Sequence, residues 1–199
     1  MPMLRRSHYQ RRYNAAVGTV EPYRGTDQTV AVMSRLVRDI RPRQMISTAL
    51  ESERSLKVRR HTEQIVGNIR PKDYSSEIIA ICKWWGNAGR YTRDPLHVEM
   101  LRTPERLIDD ALTGKLSADC DEFATAIAAC CLAVGSRAQF VTVGFQPRLP
   151  GQPKIHTHVF CRAQDPRTKV WWVLDPVAGR RTAQMLKRVK QYTIFEVDS

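Results

Sequence analysis

The residues of this chain whose types and positions best suit a chemical reaction are a cysteine, two histidines and an aspartate. Cys120 stands between two aspartates in LSADCDEFATA, directly before an apolar, alanine-rich run. His156 and His158 lie two positions apart in KIHTHVFC, and Asp175 ends the segment VWWVLD. A thiolate is a nucleophile, an imidazole can return a proton to a leaving group, and a carboxylate can orient the imidazole. Together these residue types form the set that nucleophilic acyl transfer needs.

The position of Cys120 favours a thiolate. Asp119 is a predicted N-cap and Glu122, three residues later, completes a capping box, so Cys120 becomes the first helical residue. Free amide N–H groups and the positive end of the helix dipole stabilise negative charge at that point. The carboxylates of Asp119, Asp121 and Glu122 oppose this effect if they lie close, so the site also needs a cationic partner.

The two histidines and the aspartate fall on predicted neighbouring strands. Residues two apart on a strand share a face, so His156 and His158 point the same way. Asp175 ends the next strand, where its carboxylate can meet a histidine ring on the neighbouring strand. The alternative interpretation is structural, because unpaired cysteines are commonly buried and an aspartate before a proline can begin a turn. We assign the buried role to the other four cysteines, which are Cys82, Cys130, Cys131 and Cys161.

A metal site built from His156, His158 and Cys161 is a further alternative. It is disfavoured because Cys161 points away from the histidines by strand alternation and because no CxxC spacing is present. We therefore predict no metal and no cofactor.

Hydrophobic periodicity predicts helices in the front of the chain and strands at the back. The first helix is predicted to begin at Asp27 and to end at Arg41-Pro42, and the second to run from Gln44 or Ser55 to Ile69. The third is predicted to begin at Ser75 or Ser76. The fourth has Thr103 as its predicted cap and Gly114 just past its end. Strands are predicted at 138–145, 155–162, 169–175 and 192–197, with a short helix at 183–190. Helices followed by strands imply an α+β fold.

Composition restricts the class of protein. The 199 residues, 42% hydrophobic and 26% charged, indicate a globular protein. No apolar run approaches the ~20 residues that a membrane-spanning helix needs, and the N-terminal residues do not resemble a secretory signal. Five cysteines, an odd number, do not indicate a disulfide framework. We expect reduced thiols and no export by a signal peptide.

The net charge of +12 is concentrated in the front of the chain. Up to Ser75 there are 15 Lys and Arg against 7 Asp and Glu, a balance of +8. This excess fits either a solvated basic face or an arm that docks on nucleic acid or on an acidic protein surface. We predict a basic extended arm at 1–25, a helical extension at 26–74 and the domain with the candidate site at 75–199.

Five segments in order resemble the transglutaminase-like superfamily: GRYTRDP, TPERLIDD, DCDEFATAIAACCLAVGSRAQFVTVGF, HVF and WWVLDP. The resemblance covers roughly residues 75–179. It implies a papain-like core in which a nucleophile helix packs on an antiparallel sheet. Cys120 is then the nucleophile, His158 the base and Asp175 the orienting acid. Tyr91 could supply an oxyanion donor, and His156 is a candidate supporting residue.

The resemblance also implies an activity and a context. The activity is cysteine-dependent acyl transfer on a protein or peptide substrate, as in a peptidase or amidase. Similar proteins of tailed bacteriophages share a stretch like GTDQTVAVMSRLVRDI, which implies a virion or host-cytoplasm location. The alternative is a virion structural or adaptor protein that keeps the fold and binds partners through residues 1–25. Nucleic acid is a further candidate partner, although no recognition motif accompanies the charge.

Overall fold

The computed structural model describes residues 32–93, 101–147 and 156–197, with side chains from residue 41 onward. The predicted arm at 1–25 lies outside this part of the chain. The helices are α1 (Val32–Glu53), α2 (Leu56–Val66), α3 (Tyr74–Ala88), α4 (Pro104–Leu112), α5 (Cys120–Ala133) and α6 (Thr182–Arg188). The strands are β1 (Arg90–Tyr91), β2 (Ser117–Ala118), β3 (Arg137–Gly144), β4 (His158–Gln164), β5 (Trp171–Leu174) and β6 (Gln191–Val197). The predicted α+β class is confirmed.

The four long strands form one antiparallel sheet in the order β5-β4-β3-β6. Helix α5 packs on one face of this sheet, where its apolar side chains join Phe140 and Cys161 in the main core. Helix α6 covers the other face through Met185 and Leu186, which pack against Val141. The sheet is therefore buried on both sides.

Helix α5 is almost entirely enclosed, and this explains its composition. Every residue from Asp121 to Cys131 is buried, and four of them are alanines. Small side chains allow α1, α3 and the sheet to approach the helix backbone from several directions. The start of α5 is thereby fixed relative to the strands, which is the condition for a precise site at Cys120.

The prediction that the first helix ends at Arg41-Pro42 is wrong. Helix α1 continues through Pro42 to Glu53, although proline removes one backbone hydrogen bond. Pro42 is buried, and Met45 and Ala49 are 1% and 0% exposed against the core. Burial of this stripe against α5 outweighs the local cost of the proline.

The other helices agree with their predicted signals, with small shifts at the ends. Helix α4 has Thr103 as N-cap and Pro104 as its first residue, as predicted. Helix α2 follows Ser55 but ends at Val66, three residues before the predicted Ile69. Helix α3 starts one residue earlier than predicted, because the Asp73 side chain accepts the amide of Ser76 and acts as the cap.

A short hydrogen-bond chain fixes the β4–β5 turn to helix α3. Asp165, 1% exposed, accepts the amides of Arg167 and Thr168 and the hydroxyl of Ser75, the last at 2.5 Å. Ser75 in turn accepts the indole N–H of Trp172 at 3.0 Å. These contacts hold β5 in place, and β5 leads directly to Asp175.

Within the residues that the structure describes, no helix has the length and apolar character needed to span a membrane.

Candidate active site

Cys120 is the first residue of helix α5, as the capping pattern predicted. The Asp119 carboxylate accepts the amide of Glu122 at 3.2 Å, and the Glu122 carboxylate accepts the amide of Asp119 at 3.4 Å. The amide of Cys120 belongs to the first turn, which has no partner within the helix for its N–H groups. Cys120 is half-buried, whereas the residues that follow it are enclosed. Its sulfur therefore lies at the positive end of a helix, at the edge of the core.

His158 and Asp175 meet at the ends of adjacent strands. The Nε2 atom of His158 lies 2.7 Å from Oδ2 of Asp175. The side chains are 12% and 1% exposed, so water competes weakly for this contact. The other oxygen of Asp175 accepts the amide of Ala178 at 3.0 Å, which fixes the carboxylate in turn.

The Cys120 thiol is also close enough to the imidazole of His158 to act on its pKa, which it raises through hydrogen bonding and charge. Because Nε2 is hydrogen-bonded to Asp175, Nδ1 is the ring nitrogen that remains for the thiol. The structure thus brings Cys120, His158 and Asp175 into one neighbourhood, with His158 hydrogen-bonded to Asp175 and the Cys120 thiol acting on the same ring. This is the arrangement in which an imidazole, oriented by an acid, can exchange a proton with a nucleophile.

The electrostatics of His158 favour the imidazolium. Burial is the largest single effect and lowers the pKa, because it penalises the charged ring. The hydrogen bonds to Asp175 and Cys120, with the charges of both groups, act in the opposite direction and raise the pKa of His158 to about 10. A protonated ring at neutral pH is what a thiolate–imidazolium pair requires.

The carboxylates that flank Cys120 have the cationic partners that the sequence required. Arg102, from the segment before α4, binds Glu122 through two parallel contacts of 2.8 Å each. It also donates to Asp110 at 2.9 Å and to the carbonyl of Ser117. Glu122 is 1% exposed, so this bidentate pair compensates a deeply buried charge.

Asp121 is paired by a residue 80 positions earlier in the chain. The Nε atom of Arg41, on helix α1, donates to Oδ2 of Asp121. Burial, followed by the hydrogen bond and charge of Asp121, raises the pKa of Asp119 to about 8. The raised pKa of Asp119 reduces the negative charge that it places beside Cys120, and the two remaining carboxylates in the first turn each have an arginine.

Tyr91 and His156, the predicted supporting residues, have different partners in the structure. Strand β1 runs parallel to β2 and pairs Tyr91 with Ala118, two residues before Cys120. The Tyr91 side chain is 46% exposed. His156 precedes strand β4 instead of sharing a strand face with His158, and its Nδ1 lies 2.8 Å from Oγ1 of Thr142. The backbone of Tyr91 is thus paired close to the start of α5, while the His156 ring contacts β3.

A glycine allows the close approach of β1 to the site. A Cβ atom on Gly89 would lie 2.6 Å from the side chain of Leu116 and 3.1 Å from that of Phe123. Both distances are shorter than ordinary carbon contacts. The absence of a side chain at Gly89 therefore lets the chain pass closely over the start of α5 before it reaches Tyr91.

The other four cysteines are buried and free, as expected for structural residues. Burial is the largest cause that raises the pKa of each of these thiols, so they remain protonated. Among residues 32–93, 101–147 and 156–197, no group of three or more His, Cys, Asp and Glu side chains could hold a metal ion. His158, a member of the alternative metal set, is bonded to Asp175 instead.

Sequence reasoning did not identify Arg41 and Arg102. The acidic residues around Cys120 indicated that a cation was needed, but nothing in the local sequence indicated which one. Arg41 lies in a helix that was expected to end there, and Arg102 lies 18 positions before Cys120. Both partners depend on how α1 and α4 pack against α5.

Comparison with known proteins gives only distant similarities. No protein-family model matches the sequence, and no curated protein is recognisably similar to it. Among solved structures, a candidate cysteine protease from Cytophaga hutchinsonii is 18% identical, with a TM-score of 0.45, over 70% of this chain and 46% of that protein. Rad4-Rad23 bound to a 6-4 photoproduct UV lesion is 13% identical, with a TM-score of 0.38, over 82% of this chain and 38% of that one. The chain spans less than half the length of either protein.

Proposed function

We propose that this chain is a cysteine-dependent acyl-transfer enzyme of the transglutaminase-like, papain-like type, acting as a peptidase or amidase. The observation that supports it is the His158–Asp175 contact of 2.7 Å, made by a ring whose pKa is also raised by the nearby Cys120 thiol. Asp175 is buried, His158 is nearly so, and Cys120 is half-buried at a helix start. This gradient of exposure suits an orienting acid, a base and a nucleophile.

The proposed reaction begins with attack of the Cys120 thiolate on the carbonyl carbon of an amide. A C–S bond forms, and the carbonyl oxygen takes the negative charge of a tetrahedral intermediate. The amide of Cys120 and the hydroxyl of Tyr91 are the proposed donors to this oxygen. The C–N bond then breaks while the imidazolium of His158 gives its proton to the departing amine.

The resulting thioester is resolved by water in the proposed hydrolysis. The neutral imidazole of His158 takes a proton from water, whose oxygen attacks the thioester carbon and expels the Cys120 thiolate. The products are a carboxylic acid and the resting thiolate–imidazolium pair. An amine in place of water would give cross-linking by the same steps.

A thiol-directed test addresses the nucleophile directly. Parent protein and Cys120→Ala are treated with a peptide vinyl sulfone, and the adduct is located by mass spectrometry. We expect a single adduct at Cys120 and no labelling of the variant, because the other four thiols are buried. Cys131→Ala, a change at a buried position of the same helix, is the matched control and should label like the parent. Equal labelling of the parent and Cys120→Ala would remove the proposed nucleophile.

A second candidate role is that of a virion structural or adaptor protein in a tailed bacteriophage. The observation that favours it is the concentration of positive charge before Ser75, +8 of the total of +12. Residues 1–25 are the proposed contact with virion proteins or other acidic partners. Deletion of residues 1–25 should then abolish assembly and leave the labelling of Cys120 unchanged. Normal assembly after the deletion would contradict this role.

A further inference from the structure

We propose that Arg41 is a positioning residue for Cys120, supplied by helix α1 from outside the segment that holds the nucleophile, the base and the acid. By binding the carboxylate of Asp121, Arg41 offsets the negative charge beside the sulfur and so favours the thiolate. This inference rests on the proposed function, because it concerns the reactivity of the same thiol. It gives the helical extension a part in the chemistry of the site.

The contact joins two side chains with little access to solvent. Arg41 Nε donates to Asp121 Oδ2, and the side chains are 20% and 8% exposed. Asp121 directly follows Cys120 in the first turn of α5. Because water and salt screen such a place weakly, a carboxylate there without its arginine would oppose a second negative charge on the adjacent sulfur.

The stripe on which Arg41 lies explains why it reaches this position. Arg41, Met45 and Ala49 follow one another at intervals of four residues, so they share one side of helix α1. Met45 and Ala49 are 1% and 0% exposed in the core. The apolar members of the stripe anchor α1 against the core, and the same packing carries Arg41 to the start of α5.

Several charged groups surround the sulfur, and among them Arg41 is the partner of Asp121. The sheet contributes His158, with Asp175 behind it. Arg102 forms its ion pair with Glu122, whereas Arg41 forms its ion pair with Asp121. The charged or titratable groups around the thiol include His158, Asp175, Asp119, Asp121, Glu122, Arg41 and Arg102, and helix α3 adds Cys82 and Lys83 on the side of Asp175.

The experiment measures the rate of alkylation of Cys120 by iodoacetamide as a function of pH, with Cys120→Ala as the blank. For Arg41→Ala we expect the midpoint of the profile to move up by about one pH unit, which lowers the rate at neutral pH by up to about tenfold. Arg41→Lys should keep most of the parent rate, because it retains the charge. Arg43→Ala is the matched control, since Arg43 is exposed on the same helix, and should match the parent.

A double variant separates charge from packing. Arg41→Ala combined with Asp121→Asn removes both members of the pair, so the parent profile should return if Arg41 acts through the Asp121 charge. An Arg41→Ala profile that superimposes on the parent, or a double variant as slow as Arg41→Ala, would overturn the inference. Circular dichroism shows that each variant is folded before it is alkylated.

The two proposals fail in different ways. If parent Cys120 reacts no faster at neutral pH than a free cysteine in a short peptide, the proposed function fails and this inference fails with it. If the parent thiol is reactive and Arg41→Ala leaves the profile unchanged, only the role of Arg41 is overturned.

Discussion

Helix α5 carries three cysteines in two contrasting environments. Cys120 is half-buried at its first position, beside His158. Cys130 and Cys131 lie near its other end, 0% exposed in the core, and burial raises the pKa of both thiols. The same side chain on one helix thus lies once at the edge of the core, where we propose that it reacts, and twice inside the core. The helix position and the neighbouring imidazole make the difference.

The largest expected effect comes from removing the imidazole, which would make Cys120 resemble the buried thiols. His158→Ala should lower the rate of alkylation of Cys120 at neutral pH by about 100-fold or more, because the thiolate loses its counter-ion. The measurement is the second-order rate constant with iodoacetamide. His156→Ala is the matched control and should stay within about threefold of the parent, since its ring contacts Thr142. Similar losses in the two variants would contradict the assignment of His158.

The raised pKa of His158 predicts a pH dependence of stability. The ordinary value of 6.5 rises to about 10 in the folded protein, so folding favours the protonated ring. This contribution is fully present below pH 6.5 and is lost as the pH rises through about 10. We expect the difference in unfolding free energy between the parent and His158→Ala to decline across that window in urea titrations. A difference that grows with pH would contradict the imidazolium.

Replacing the buried thiol of Cys131 by a hydroxyl tests whether the packed end of helix α5 is independent of Cys120. Cys131→Ser places a hydroxyl among apolar neighbours and should lower the free energy of unfolding by about 2 kcal/mol. The alkylation rate of Cys120 should not change. Chemical denaturation measures the first quantity and iodoacetamide the second, with Cys131→Ala as the size control. A slower reaction of Cys120 in a folded Cys131→Ser variant would contradict the separation of the two environments.

A smaller effect is expected when the orienting acid keeps its shape but loses its charge. Asp175→Asn keeps the shape of the side chain but only one acceptor oxygen, which can serve either the His158 ring or the amide of Ala178. We expect about a tenfold lower rate of alkylation at neutral pH, corresponding to about one unit of differential stabilisation of the ion pair. Rate constants measured between pH 5 and 9 test this. An unchanged profile would show that the charge of Asp175 contributes nothing.

The smallest expected effect lies at the far end of the same helix. Gly135 has a φ of 78°, and a Cβ atom there would meet nothing within 4 Å. Gly135→Ala therefore tests backbone strain alone and should cost about 1 kcal/mol of unfolding free energy. Labelling of Cys120 should be unchanged, because about 20 Å of helix separates the two positions. Gly114→Ala, also at positive φ, is the matched control.

Local sequence determined the features that depend on neighbours along the chain. The cap of α5 was predictable because Asp119 and Glu122 satisfy amides within one turn. The start of α4 was predictable from Thr103 and Pro104 for the same reason. Strands β3 to β6 were predicted from alternation, with ends that differ from the prediction by at most three residues. Cys120, His158 and Asp175 were identified by residue type, order and resemblance.

The tertiary structure decided the features that depend on distant partners. Helix α1 continues past Pro42 because a buried stripe outweighs a local break. The short β1–β2 pair was not predicted because two-residue strands have no periodicity, and it pairs Tyr91 with Ala118, two residues before Cys120. Arg41 reaches Asp121 across 80 positions of sequence. Propensity and capping act within a few residues, whereas the charge balance around the half-buried Cys120 thiol is set only when separate helices pack together.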